Sequence, residues 1–198
     1  MANKIKLDDF PIFTNHFSSL KKTSLDNRDG HKKYMTESEL TAVCFDDVKD
    51  EYVELLGMSE IPKSNDALFD EGNGTLVFVE FKSGHIDSQK QFAIRKKIYD
   101  STLIFTDITS TGISYMREQM KYILVYNDAA NKNADGRKLP CQRESVQTSE
   151  AYDKIAKIFS NYGGREYIGF GLGIFQNYCF KEVHTYTQTE FEEYLSSL

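Results

Sequence analysis

The sequence predicts an α/β (α+β) domain in which helices flank a central β-sheet. Three observations predict it: a helical period over residues 36–57, a strand of strict alternation over 75–82 reached through a glycine hairpin, and an apolar run at 122–126 beyond a second helical stretch. With 198 residues, 40% of them hydrophobic, the chain can bury a core and fits a single domain over 1–198.

In chain order, the first 30 residues mix Phe10, Phe13 and Phe17 with Asp, Asn and Lys and keep no period, which predicts a strap or short helical turns. Thr36-Glu37-Ser38-Glu39 reads as a capping box. Leu40, Val43, Cys44, Val48, Tyr52, Leu55 and Leu56 follow at spacings of three and four, giving an amphipathic helix that stops near Gly57. Asp66 to Phe69 is a short extended segment after Pro62, and Asp70-Glu71-Gly72-Asn73-Gly74 supplies the residues that tolerate positive φ in a hairpin loop. Thr75 to Lys82 is the next strand, with Val77, Val79 and Phe81 on one face and Phe78, Glu80 and Lys82 on the other.

Asp87 or Ser88 caps a second helix running to about Thr102, and Tyr122 to Tyr126 is a buried strand. Asn127 to Ser149 is a long polar loop, suited to mobility or contact. A helix over Glu150 to Tyr162 stopped by Gly163-Gly164, an extended stretch over Gly171 to Thr187, and a short helix over Gln188 to Leu198 capped by Thr187 or Thr189 complete a C-terminal elaboration at 150–198.

Composition excludes several classes. A net charge of -6 opposes an indiscriminate nucleic-acid binder, although the charge is segregated: residues 35–80 hold 2 basic and 12 acidic side chains, residues 81–138 hold 10 and 6. Cys44, Cys141 and Cys179 are odd in number and form no C-x-x-C pair, so a disulfide framework or zinc ribbon is not indicated and a reducing cytoplasm is expected. No run approaches the roughly 20 apolar residues of a membrane span, so no membrane association is expected.

The chemistry gathers around the hairpin. Antiparallel pairing symmetric about Gly72 to Gly74 sets residue 66 opposite about residue 80, which clusters Asp66, Glu80 and Lys82 at one end of the sheet. Magnesium, or manganese in its place, prefers carboxylate and carbonyl oxygens. Asp66, Glu80 and the Phe81 carbonyl form such a set. An ammonium at Lys82 orients or activates a water there and offsets charge at phosphorus in the transition state, the chemistry of phosphodiester hydrolysis.

Asn65-Asp66-Ala67-Leu68, the glycine hairpin, and Phe78-Val79-Glu80-Phe81-Lys82-Ser83-Gly84 together resemble the PD-(D/E)XK nuclease superfamily over roughly Thr36 to Tyr126. The resemblance implies a restriction-endonuclease-like core with a central mixed β-sheet flanked by helices. It also implies Asp66 and Glu80 as metal ligands, Lys82 as the catalytic lysine, and nucleic acid as substrate, DNA in preference to RNA. A homodimer is compatible with it. One departure is that the family's proline before the aspartate is Asn65 here, with Pro62 three residues earlier.

Lys90, Arg95, Lys96 and Lys97 are the phosphate-contact candidates, although 95, 96 and 97 cannot share one helix face, and a solvated face is their plain reading. Some family members add a carboxylate from the first helix. Glu37 and Glu39 are available, but Glu39 has a sufficient role in the capping box. Gln89 and Gln91 read as ordinary surface residues. His16, His31, His85 and His184 have no common ligand spacing, and the glycines at 163–164 and 169–173 match no phosphate loop; the latter read as a close-packed strand. The rival expectation is a catalytically inactive protein of the same fold, of phage or mobile-element type, that binds a protein partner through its acidic face and has no metal affinity.

Overall fold

The computed structural model describes residues 4–27, 32–131 and 167–198. It is an α/β fold whose six-stranded mixed sheet carries helices on its faces. The strands are β1 (Phe17–Ser19), β4 (Thr41–Cys44), β5 (Ala67–Asp70), β6 (Leu76–Lys82), β7 (Met120–Tyr126) and β8 (Glu182–Thr187), in that spatial order. β1 to β6 pair antiparallel, and β6–β7–β8 pair parallel. A small ribbon of β2 (Leu25–Asp26) and β3 (Lys33–Tyr34) stands apart from it. The helices are α1 (Pro11–Thr14), α2 (Leu20–Thr23), α3 (Phe45–Leu56), α4 (Ser88–Ile108), α5 (Ile113–Gln119) and α6 (Gln188–Ser196). Among the described residues no helix is long and apolar enough to cross a membrane.

The alternation along β6 separates two apolar layers. Phe78 joins Phe45, Ile94, Ile98, Phe105, Tyr122 and Leu124 on the side of α3 and α4, whereas Val77, Val79 and Phe81 join Phe69, Ile123, Val125 and Phe191 on the side of α6. With both faces covered, the central strands are buried almost throughout. Phe78 is the hub of the first layer: its ring meets Phe45 at 4.8 Å and Phe105 at 5.8 Å, both edge to face.

Several elements differ from the sequence expectation. The helix predicted from Thr36 begins only at Phe45, because Thr41 to Cys44 pairs with β1 on one side and β5 on the other, and Ala42 and Val43 are buried in the sheet. A short apolar run fits either period, and here two neighbouring strands satisfy its backbone. Thr36 caps nothing. Its hydroxyl donates to Glu192 Oε1, and Glu37 and Glu39 face Lys21 instead. The capping box is at the other end of the chain, where the Glu190 amide donates to Thr187 Oγ1 and the Thr187 amide to Glu190 Oε2. The stop at Gly57 is as expected, with φ +61°.

The second helix runs six residues past Thr102, carried by buried Ile104 and Phe105, and α5 is an element the sequence reading lacks. Strands β1 and β8 close the sheet's two edges. Gly169 to Gly173 is a turn and not a strand: Phe170 and Gly171 take φ of +55° and +65°, and a 3-10 helix follows over Leu172–Phe175. The helix expected at Glu150 to Tyr162 and most of the Asn127 to Ser149 loop lie outside the described residues, as does Cys141.

Truncating the hub tests this packing. Phe78→Ala is expected to lower unfolding stability by about 3–5 kcal/mol, the usual cost of deleting a fully buried ring. Urea denaturation checks it, and a loss under about 1 kcal/mol would show the hub assignment to be mistaken.

Candidate active site

The hairpin register is the one the sequence predicts. Ala67 pairs with Val79 and Asp70 with Leu76, so continuing the ladder by one residue sets Asp66 against Glu80. Asp70 Oδ1 fixes the loop by accepting the amides of Gly72 and Gly74 at 2.7 and 3.0 Å, both glycines having positive φ. At the other end, the Asp66 amide donates to the Val79 carbonyl at 3.1 Å, and the Phe81 amide donates to Asp66 Oδ2 at 2.7 Å. One Asp66 oxygen is thereby committed to the backbone. The other accepts from Lys97.

Glu80 is fully buried in the sheet. Two ammonium groups meet it. Lys97, from α4, contacts Glu80 Oε1 at 2.8 Å and Oε2 at 2.9 Å and also Asp66 Oδ1 at 2.9 Å. Lys82 contacts Glu80 Oε1 and, at 3.3 Å, the Phe81 carbonyl. The sequence-predicted trio therefore converges, and a fourth residue joins it. Lys97, expected among the phosphate-contact candidates, is held by these two acids.

Burial, with the charge of Asp66 added, pushes the Glu80 carboxyl above its ordinary range, while Lys82 and Lys97 oppose that rise. Burial alone would lower the Lys97 ammonium, but contact with Glu80 and Asp66 carries it above its ordinary value, so it stays charged. An unpartnered carboxylate in this position would be very costly, and the two lysines are what make it tenable.

Helix α4 also fixes the chain that leads into Asp66. The Lys63 amide donates to Asp100 Oδ2 at 2.7 Å, and the Asn65 amide donates to Ser101 Oγ at 2.8 Å. The second bond is one that proline, lacking an N–H, cannot make. Asp46, in the first turn of α3, accepts from the Ser64 hydroxyl beside this segment. Burial raises its carboxyl, and the charge of Asp66 adds to the rise. Asp46 is thus the helix carboxylate at the site. The candidates Glu37 and Glu39 are exposed and face Lys21.

The other basic residues of α4 have partners of their own: Lys90 with the His85 carbonyl at 2.5 Å, Arg95 with the Gly171 carbonyl at 3.3 Å, and Lys96 with Asp100 at 2.8 Å. Of these, Lys96 has the most exposed side chain. His16 pairs with Glu51, and His85 is exposed near the end of β6.

As a place for a hard cation, the donor chemistry fits. Two carboxylates converge closely enough to share one ammonium, a carbonyl lies beside them, and magnesium commonly uses one or two protein carboxylates. Among the described residues no set of three or more His, Cys, Asp or Glu side chains gathers as a metal centre. Comparison of the chain with family models, with curated proteins and with solved structures finds no match.

The Asp46 carboxyl gives a test by pH. Its folded value lies above the unfolded one, so the folded chain holds this proton more tightly. The stability it contributes is full below about pH 4, near the unfolded carboxylate value, and is lost as pH rises through the folded value. Asp46→Asn, which keeps an acceptor for Ser64, is therefore expected to gain stability relative to wild type as pH rises from about 4 to 7. Urea midpoints across that range measure it, and a pH-independent difference would contradict the assignment.

Proposed function

We propose that this protein is a magnesium-dependent (or manganese-dependent) nuclease with a restriction-endonuclease-like core, hydrolysing phosphodiester bonds of nucleic acid. The observation that carries the reading is the meeting of Asp66 and Glu80 on one ammonium, with Lys82 against Glu80 and the Phe81 carbonyl at the same sheet end. The D…E-x-K pattern thus corresponds to a cluster in space as well as in sequence.

In this reading Asp66, Glu80 and the Phe81 carbonyl hold the metal ion. When bound, the ion supplies Lewis-acid stabilisation of the charge that builds on phosphate oxygens and eases deprotonation of the attacking water. The hydrogen bond from the Phe81 amide aims Asp66. The covered sheet faces keep water from Glu80 and strengthen every charge interaction there. Lys82, half-buried at the strand end, orients the attacking water and donates to the phosphate as its charge grows. On α4, Lys90 and Arg95 keep their charge while bonded to carbonyls and Lys96 is paired with Asp100, so all three are substrate-contact candidates, together with Lys97 once it leaves the acids.

One observation favours the rival class. Two carboxylates and two ammonium groups balance, so the cluster is tenable without a cation, as in a non-catalytic protein of this fold that binds a protein partner. Activity decides. Lys82→Ala is expected to reduce magnesium-dependent cleavage of plasmid and single-stranded oligonucleotide substrates by about 100-fold or more, in a protein that stays folded at a lower unfolding midpoint because Lys97 still pairs with Glu80. Cleavage unchanged in that variant would remove Lys82 from the mechanism, and absence of cleavage by wild type on every substrate, with no manganese binding, would leave the interaction protein.

A further inference from the structure

We propose that Lys97 is the resident counter-ion of this site, a built-in competitor that an incoming divalent cation must displace. The inference rests on the metal-site reading above. Lys97 touches both carboxylates assigned to the metal, and it takes both oxygens of Glu80 together with the Asp66 oxygen that the backbone leaves free. A cation cannot bind these oxygens while the ammonium is there. They share one coordination space, and the like charges would repel at contact distance. Lys82 does not present the same obstacle, since it meets Glu80 on one oxygen and makes no contact with Asp66.

The surroundings suit an exchange. Asp66 stays aimed when Lys97 leaves, because its second oxygen is bound by the Phe81 amide. Lys97 hangs on a four-carbon stem from α4 with its side chain 19% exposed, so it can swing outward without moving the helix. The ammonium keeps Glu80 paired in the metal-free protein, which lets the site form before any ion arrives. Its cost is a weakened apparent affinity for the ion, since only molecules with Lys97 displaced can bind. A phosphate brought by substrate would give the displaced ammonium a new partner, so metal and substrate binding would reinforce each other.

The test uses the full chain and manganese as probe. Calorimetric titration is expected to give wild type a weak site that Asp66→Ala abolishes, and Lys97→Met a site about tenfold or more tighter, from removal of one competing charge. Equal or weaker binding by Lys97→Met overturns the proposal while the metal site stands. No binding that depends on Asp66, in either protein, overturns both. Because Lys97→Met leaves Glu80 with Lys82 alone, which lowers stability, a second measurement is made on wild type: acetylation of Lys97 by acetic anhydride, followed by mass spectrometry. Saturating manganese is expected to speed modification of Lys97 severalfold, and an unchanged or slower rate overturns the proposal independently of the variant.

Discussion

A carboxylate with no exposure to water, Glu80, stands in the middle strand of the sheet, and the rest of the site is arranged around the cost of placing it there. Isolated, such a charge would be neutralised or would unfold its surroundings. Here it is kept by two ammonium groups that arrive from different directions: Lys82 from its own strand, two residues on and therefore on the same face, and Lys97 from the helix that crosses that face. The strand supplies the acid and one compensating charge by alternation alone. The helix must be docked before the second charge can arrive, so the site depends on tertiary packing in a way that the E-x-K pattern alone does not.

Helix α4 is accordingly the element that organises the site. Its apolar face, Ile94, Ile98 and Phe105, packs against the β6 side of the core, and that packing sets its rotation. Given that rotation, Lys97, Asp100 and Ser101 fall toward the segment leading into β5, where they bind Asp66, the Lys63 amide and the Asn65 amide. The same few residues therefore hold the loop that presents Asp66 and supply its counter-charge.

What could be read in the sequence follows from which constraints are local. The pairing of residue 66 with residue 80 is fixed by a short loop whose glycines sit at positive φ, and alternation then fixes the faces of Phe78, Glu80 and Lys82; both were legible. The helix stop at Gly57 and the start of α4 at Asp87 were legible for the same reason, as chemistry of one or two residues. The role of Lys97 was not, because three adjacent basic residues point around the helix and only the docking of α4 selects among them. Asp46 was missed because Thr41 to Cys44 was read into the helix. The true start at Phe45 puts Asp46 in the first turn, where a carboxylate is favoured by the helix dipole. The misplaced capping box has the same origin: the four-residue pattern occurs at both Thr36 and Thr187, and only at Thr187 does a helix follow it.

The segregation of charge along the chain takes a different meaning in this light. The acidic stretch 35–80 supplies Asp46, Asp66 and Glu80, and the basic stretch that follows supplies Lys82 and Lys97. These five residues of the two stretches meet in one cluster at the end of the sheet. Lys90, Arg95 and Lys96 are likewise engaged with neighbouring carbonyls and a carboxylate. Backbone carbonyls leave the charges of Lys90 and Arg95 in place, whereas those of Lys96 and Lys97 are offset by carboxylates, so the long-range attraction that α4 can exert on a polyanion rests on Lys90 and Arg95.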